Sequence, residues 1–207
     1  VLETGYDIIF FWVARMIMLS IYNMDGVPPF ETVYLHGLVR GTDGKKMSKS
    51  TGNIVDPLEA IETYGCDGLR YALISGTSPG NDQKLTGDRL ESGRNFANKL
   101  WNACRFRQMQ GGESGPQDGE VSDNLENLSI YDIDILAKLD SLHDHLQRAY
   151  EGYKFQEIAS RLYDFFWSEF CDWYLESIKL HLREEVDPQV RSRTLLVFDT
   201  VLTRYLP

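Results

Sequence analysis

Residues 32–65, TVYLHGLVRGTDGKKMSKSTGNIVDPLEAIETYG, decide the fold. Thr32 to Val39 is short, β-branched and aromatic, bounded by Pro28-Pro29 before and by Gly41 and Gly44 after, so it reads as a strand. Asp56-Pro57 then opens a helix, because aspartate caps by accepting backbone N–H bonds and proline suits the first helical position; Gly65 closes it. A basic, glycine-flanked loop lies between the two. Upstream, Ile8, Phe11, Trp12, Arg15, Met16 and Leu19 recur at helical spacing within Ile8 to Tyr22, with Asp7 available as the cap. Apolar residues on nearly every side predict a helix buried in a layered domain. Helix, strand, loop and helix together predict a parallel α/β unit. A second short helix, Asp67 to Ser75, stops at Gly76-Thr77-Ser78-Pro79-Gly80, which cannot continue it, so one domain is expected over 1–80.

The rest, 81–207, reads as all-α. A long helix from Gly87 to about Met109 carries Asp88 and Glu91 in its first turn and Arg105 and Arg107 in its last, complementing the helix dipole. Gly111 to Asn127 is polar and rich in glycine and acid, which predicts a mobile loop. Ser129-x-x-Asp132 caps a helix to about Tyr150, Phe155 to Arg183 makes another, and Asp187-Pro188 opens a last one. Phe155, Ile158, Leu162, Phe166, Phe170, Trp173 and Tyr174 recur at three and four as a core stripe. The fold class expected is therefore α/β followed by an antiparallel helical bundle.

The chain has 207 residues, 43% hydrophobic and 25% charged, which excludes a disordered or collagenous class. The longest apolar run is broken by Arg15 and too short for a bilayer span, so no membrane partner is expected. Cys66, Cys104 and Cys171 form no CxxC pair, which argues against a disulfide framework or zinc site and for a reducing, cytoplasmic setting. His143 and His145, two apart on a helix, face different ways, so no metal ligand set is expected. The net charge of -10 excludes a generally sticky nucleic-acid binder. Basic and acidic residues balance at 12 and 12 over 1–110 and stand at 9 and 19 over 111–207. Any RNA contact must use local patches. The start at Val1, without an initiator Met, and the end inside an apolar helix read as a piece of something longer.

The chemistry concentrates in Gly44-Lys45-Lys46-Met47-Ser48-Lys49-Ser50-Thr51-Gly52-Asn53. Lysines three apart, hydroxyls beside them and glycines permitting close approach suit a polyphosphate, whose oxygens gain charge as a bond breaks. The bland alternative, a solvated lysine-rich turn, fails to explain the literal string KMSKS. Lys46 to Ser50 is identical to the signature of the class I aminoacyl-tRNA synthetases. Gly5-Tyr6-Asp7-Ile8-Ile9-Phe10-Phe11-Trp12, His36-Gly37-Leu38-Val39-Arg40, Ser75 to Asp82 and Gly93 to Asn102 resemble the valyl branch of that family. The isoleucyl and leucyl branches share the lysine loop but not the last two blocks; Ser92 stands here where that branch has glycine. The resemblance is dense to about residue 107 and architectural beyond.

The resemblance implies the C-terminal part of a Rossmann-type catalytic domain over 1–80, followed over 81–207 by an incomplete anticodon-binding helical domain. It implies ATP-dependent attachment of valine to tRNA(Val) through valyl-adenylate, with Mg2+ neutralising pyrophosphate. Lys46 and Lys49 would hold the triphosphate in the transition state, with Met47, Ser48 and Ser50 completing the ATP loop. Gly5 and Asp7 would lie by ribose and adenine, and His36 and Gly37 near the adenine. A plain helix cap for Asp7 and a structural role for His36 stay open. Ile8 and Trp12, four apart, would line the amino-acid pocket, against core packing as the alternative. Such a pocket excludes isoleucine by size but cannot reject threonine, so editing needs a separate domain, and none is read here. The family's His-x-Gly-His signature is also absent from the four histidines, which predicts that the chain alone is inactive and works with the remainder of its polypeptide. A non-catalytic RNA-binding module derived from a synthetase is the alternative from another class. Arg94 and Arg105 are the candidate tRNA contacts, while Asn95 and Asn98 are expected to staple their helix by buried hydrogen bonds.

Overall fold

The computed structural model describes residues 1–48, 50, 52–111, 128–183 and 185–206. Lys49 and almost all of the polar loop at 111–127 lie outside the described residues. The chain forms two units: Val1–Arg94 with Gly152–Gln156, and Asn95–Glu151 with Glu157–Pro207.

In the first unit, β1 (Leu2–Gly5) pairs in parallel with β2 (Val33–His36), Gly5 opposite His36. The expected strand over 32–39 breaks at Gly37-Leu38 and resumes as β3 (Val39–Arg40), parallel to β4 (Gln83–Lys84). Backbone bonds from Gly80 to Leu35, Gln83 to Leu38 and Leu85 to Arg40 run along the whole stretch. The break follows from close approach: a Cβ on Gly37 would stand 1.7 Å from the Asn81 carbonyl oxygen. Helices α2 (Pro57–Tyr64) and α3 (Cys66–Ile74) follow, and Asp56 caps α2 by accepting from Leu58 N–H. Their buried residues Ala60, Leu69 and Ala72 join Leu85 and Leu90 in one core.

The segment between β1 and β2 departs from the expected capped, buried helix. It is a 3₁₀ turn (Tyr6–Ile8), a π-helical turn (Ile9–Val13) and only then α1 (Ala14–Asn23). Asp7 makes no cap bond there; its carboxylate faces Lys46 instead. Among 6–24 only Val13 is buried, while Phe10, Phe11, Met18, Leu19 and Tyr22 are exposed. The short strands of this unit offer too little apolar surface to cover a segment that is apolar on every side.

Helix α4 (Gly87–Met109) has the expected bounds and contributes to both units. Its Gly93 meets Gly68 of α3, where an added Cβ would lie 2.4 Å from the Gly68 carbonyl oxygen, whereas Ser92 is exposed and free to vary. Asn95 and Asn98 are exposed, so they do not staple the helix by burial. The buried polar tie is Arg107, which pairs with Asp199 at 2.6 Å and donates to the Gly111 carbonyl.

The second unit contains α5 (Ile130–Glu151), the end of α6 (Phe155–Asp164), a π-helical stretch (Phe165–Tyr174), α7 (Leu175–Ile178) and α8 (Pro188–Tyr205). Ser129 and Asp132 form the expected reciprocal cap, and Asp187 caps α8. The helix expected to Arg183 ends at Ile178. Its π stretch buries residues four to five apart, Phe165 and Phe166, then Phe170 and Cys171, then Tyr174, in keeping with the wider turn of i→i+5 bonding. That phase turns Trp173 outward, 57% exposed, so it leaves the expected core stripe.

Candidate functional site

The residues singled out in the sequence meet at the carboxyl ends of β1 and β2. Gly5 ends β1 opposite His36, and its absent side chain leaves room for the Asp7 carboxylate, 2.8 Å from where a Cβ would sit. Asp7 lies 3.5 Å from Lys46 Nζ. His36 contacts the Gly37 carbonyl through Nδ1 at 2.9 Å and Glu3 through Nε2 at 3.4 Å. Gly5, Asp7, His36, Gly37 and Lys46 therefore form one cluster of a cation, an imidazole, a carboxylate and two glycines. Such a set suits a ligand with anionic and hydrogen-bonding parts.

The lysine loop rises from β3 as a tight hairpin, Arg40 bridging to Lys46 and Gly41 N–H donating to the Lys45 carbonyl. Gly44 and Gly52 flank it with φ of +76° and +65°, values that favour glycine. Met47 packs on the core of α2 and α3, which anchors the middle of KMSKS. Ser48 and Ser50 hydroxyls lie 2.7 Å apart. Lys84 of β4, unmarked in the sequence reading, extends beside Gly44, its Nζ 3.1 Å from a Cβ there; only the β3–β4 pairing reveals it.

Asp82 ties the base of the site together. It accepts from Leu38 N–H at 2.8 Å, from Tyr6 Oη at 3.1 Å and from Arg40. The Leu38 amide first, then Arg40 and Tyr6, hold its carboxyl below the usual carboxylate range. Asp43 is held low in the same way, by the Lys45 amide and then by the Asn53 side chain.

The other expected site residues differ in their settings. Ile8 and Trp12 are 39% and 44% exposed, in the 3₁₀ and π turns, so the shared α-helical face expected from their spacing does not form. Arg94 is partly buried, pairs with Glu91 at 3.0 Å and lies over Tyr64; Arg105 is exposed. In the second unit a cleft of about 420 Å³ lined by Leu139, His143, Leu162 and Tyr205 contains none of the expected site residues. Burial pushes the Cys171 thiol up to about 12, which favours its protonated form. Among the described residues no group of three or more His, Cys, Asp or Glu is set to hold a metal, and no helix is long and apolar enough to cross a membrane.

Residues 1–86 match the family model for tRNA synthetases class I (I, L, M and V), and residues 132–206 match the anticodon-binding domain of tRNA ligase. Over these two stretches the chain is similar to the class I tRNA synthetases. It is 48% identical over 202 residues to valine–tRNA ligase of Dehalococcoides mccartyi, covering 98% of this chain and 22% of that protein. With valine–tRNA ligase of Clostridium acetobutylicum it shares 50% identity over 181 residues, 86% of this chain and 20% of the relative. The chain thus spans about a fifth of the length of these relatives. Among solved structures it resembles Mycobacterium tuberculosis methionyl-tRNA synthetase in complex with methionyl-adenylate, at a TM-score of 0.74 and 24% identity over 98% of this chain and 40% of that one. It also resembles the Agrobacterium radiobacter K84 agnB2 LeuRS–tRNA–LeuAMS complex, at 0.70 and 17% over 99% and 26%. At these identities the likeness concerns the fold.

Proposed function

We propose that this chain is part of a cytoplasmic class I synthetase that attaches valine to tRNA(Val) through valyl-adenylate, using ATP. The observation that carries the reading is the cluster at the ends of β1 and β2, where Lys46 of the literal KMSKS loop faces Asp7, Gly5 and His36. In this reading Lys46 and Lys49 bind the triphosphate more tightly as the α-phosphate is attacked, so they act in the transition state and move no proton. Met47 fixes the loop to the core, and the Ser48 and Ser50 hydroxyls offer donors to phosphate oxygens. Gly5, Asp7, His36 and Gly37 receive the ribose and adenine. Mg2+ enters as MgATP, bound by the phosphate oxygens of the substrate.

Ile8 and Trp12 line the amino-acid side of the site, and the exposed apolar face of 8–24 packs against the preceding part of the longer polypeptide. Residues 1–80 serve as catalytic-domain elements. Residues 81–207 serve as an antiparallel bundle that binds the anticodon arm, with Arg94 and Arg105 on phosphates. The chain by itself does not activate valine, and editing resides elsewhere in the polypeptide.

The test is amino-acid-dependent exchange of labelled pyrophosphate into ATP by the full-length polypeptide, run with valine, isoleucine and leucine, followed by transfer to tRNA. The expected result is strong exchange with valine and charging of tRNA(Val). Stronger exchange with isoleucine or leucine would move the protein to another branch, and no exchange with any of them would leave only a non-catalytic RNA-binding role.

A further inference from the structure

A network of hydrogen bonds closes the base of the lysine loop. Asn53 Oδ1 accepts the Ser48 N–H at 2.9 Å. Its Nδ2 donates to the Lys46 carbonyl at 3.3 Å and to both Asp43 carboxylate oxygens at 3.2 and 3.3 Å. Asp43 Oδ1 also accepts the Lys45 N–H at 2.9 Å. One carboxamide therefore holds Lys46 and Ser48, on either side of Met47, while one carboxylate holds Lys45 and the carboxamide. The arrangement is polar in a fixed sense: the acceptor end of Asn53 must face Ser48 and its donor end must face Asp43. Both residues act on the backbone that carries Lys46.

We propose that Asp43 and Asn53 are positioning residues that clamp the loop so that Lys46 is presented to the triphosphate in its reactive geometry. The proposal rests on the reading of the loop as the triphosphate-holding element. Charged groups that stabilise a transition state do so because they are fixed in advance, and displacement by about 1 Å from a distant change can cost on the order of 100-fold in rate. A clamp made of directional hydrogen bonds supplies that fixity to a segment bracketed by two glycines.

The geometry makes the clamp testable by polarity rather than by truncation. In Asn53→Asp the side chain still accepts from Ser48 but turns a carboxylate toward Asp43 and loses its donor to Lys46. In the double variant Asp43→Asn with Asn53→Asp, Asn at 43 donates to the new carboxylate and still accepts from Lys45. In the full-length polypeptide, Asn53→Asp is expected to lower the kcat of valine-dependent pyrophosphate exchange by about 100-fold. The KM for valine and the melting temperature should stay near the parent's, and the double variant should recover part of the rate, because the 43–53 link is restored while Asp at 53 still offers no donor to the Lys46 carbonyl. Hydrogen exchange at the Lys45 and Ser48 amides should accelerate in the single variant and slow again in the double. Full activity in Asn53→Asp, a double variant no better than the single, or a lost rate explained by a lowered melting temperature would overturn the clamp. If the parent shows no valine-dependent exchange, the functional reading falls instead, and amide exchange that is unchanged in Asn53→Asp would overturn the clamp on its own.

Discussion

Phe10-Phe11-Trp12 and Phe165-Phe166-Trp167 are the same tripeptide, and both sit in π-helical turns. Phe10 and Phe11 are 75% and 63% exposed, whereas Phe165 and Phe166 are 5% and 0% exposed. The second tripeptide has neighbours on every side: Phe166 meets Phe96, Phe170 and Tyr205 at ring separations of 6.2, 5.3 and 4.8 Å. The first has its own segment: Phe10 and Phe11 stack edge to face at 5.3 Å, and Arg15 lies over Phe11. Identical side chains in the same local geometry thus differ because burial depends on the surface that meets them, and apolar composition alone does not supply it. An exposed apolar face of this kind marks a place where something else packs.

The difference predicts unequal costs. Phe166→Ala should destabilise the chain by about 3–5 kcal/mol, as the loss of a fully buried aromatic ring does. Phe11→Ala should change it by no more than about 0.5 kcal/mol, as at exposed positions generally. Denaturant unfolding of both variants checks this, and equal losses would erase the contrast between the two segments.

A smaller effect sharpens it. Within the buried π stretch, Tyr174 donates to Asp132 Oδ1 at 2.7 Å, while the other oxygen of Asp132 receives Ser129 at the start of α5. Burial first, and then Asp132, push the Tyr174 phenol well above its ordinary range. Tyr174→Phe keeps the ring and strands one buried carboxylate oxygen, so it should cost about 1–3 kcal/mol. A loss near zero in thermal unfolding would mean that the ring alone holds this joint.

Elements with a chemical start signal were legible in the sequence. Asp56, Ser129 with Asp132, and Asp187 cap the helices assigned to them, because a cap is a bond between residues two or three apart. The bounds of α4 and the parallel α/β character of the first unit were legible for related reasons of local punctuation. What failed depended on phase and on distant surfaces. The α-helical period placed Trp173 inside, whereas π-helical bonding turns it out. The apolar run at 8–22 promised burial that no surface among the described residues provides. In the site, the lysine string drew attention to Lys46, but the roles of Asp82 and Lys84 arise from strand pairing over some 40 residues, which local pattern cannot show.

The central claim is that Lys46, at the ends of β1 and β2, serves the transfer of the nucleotide. Its neighbour Lys45 is also exposed and carries the same charge, yet of the two it is Lys46 that faces Asp7. In the full-length polypeptide, Lys46→Ala should lower the kcat of valine-dependent pyrophosphate exchange by about 10²–10³ with valine affinity kept, as expected when one preorganised contact to developing charge is removed. Lys45→Ala should leave the rate near that of the parent. An unchanged rate in Lys46→Ala, or equal losses in the two variants, would contradict the account.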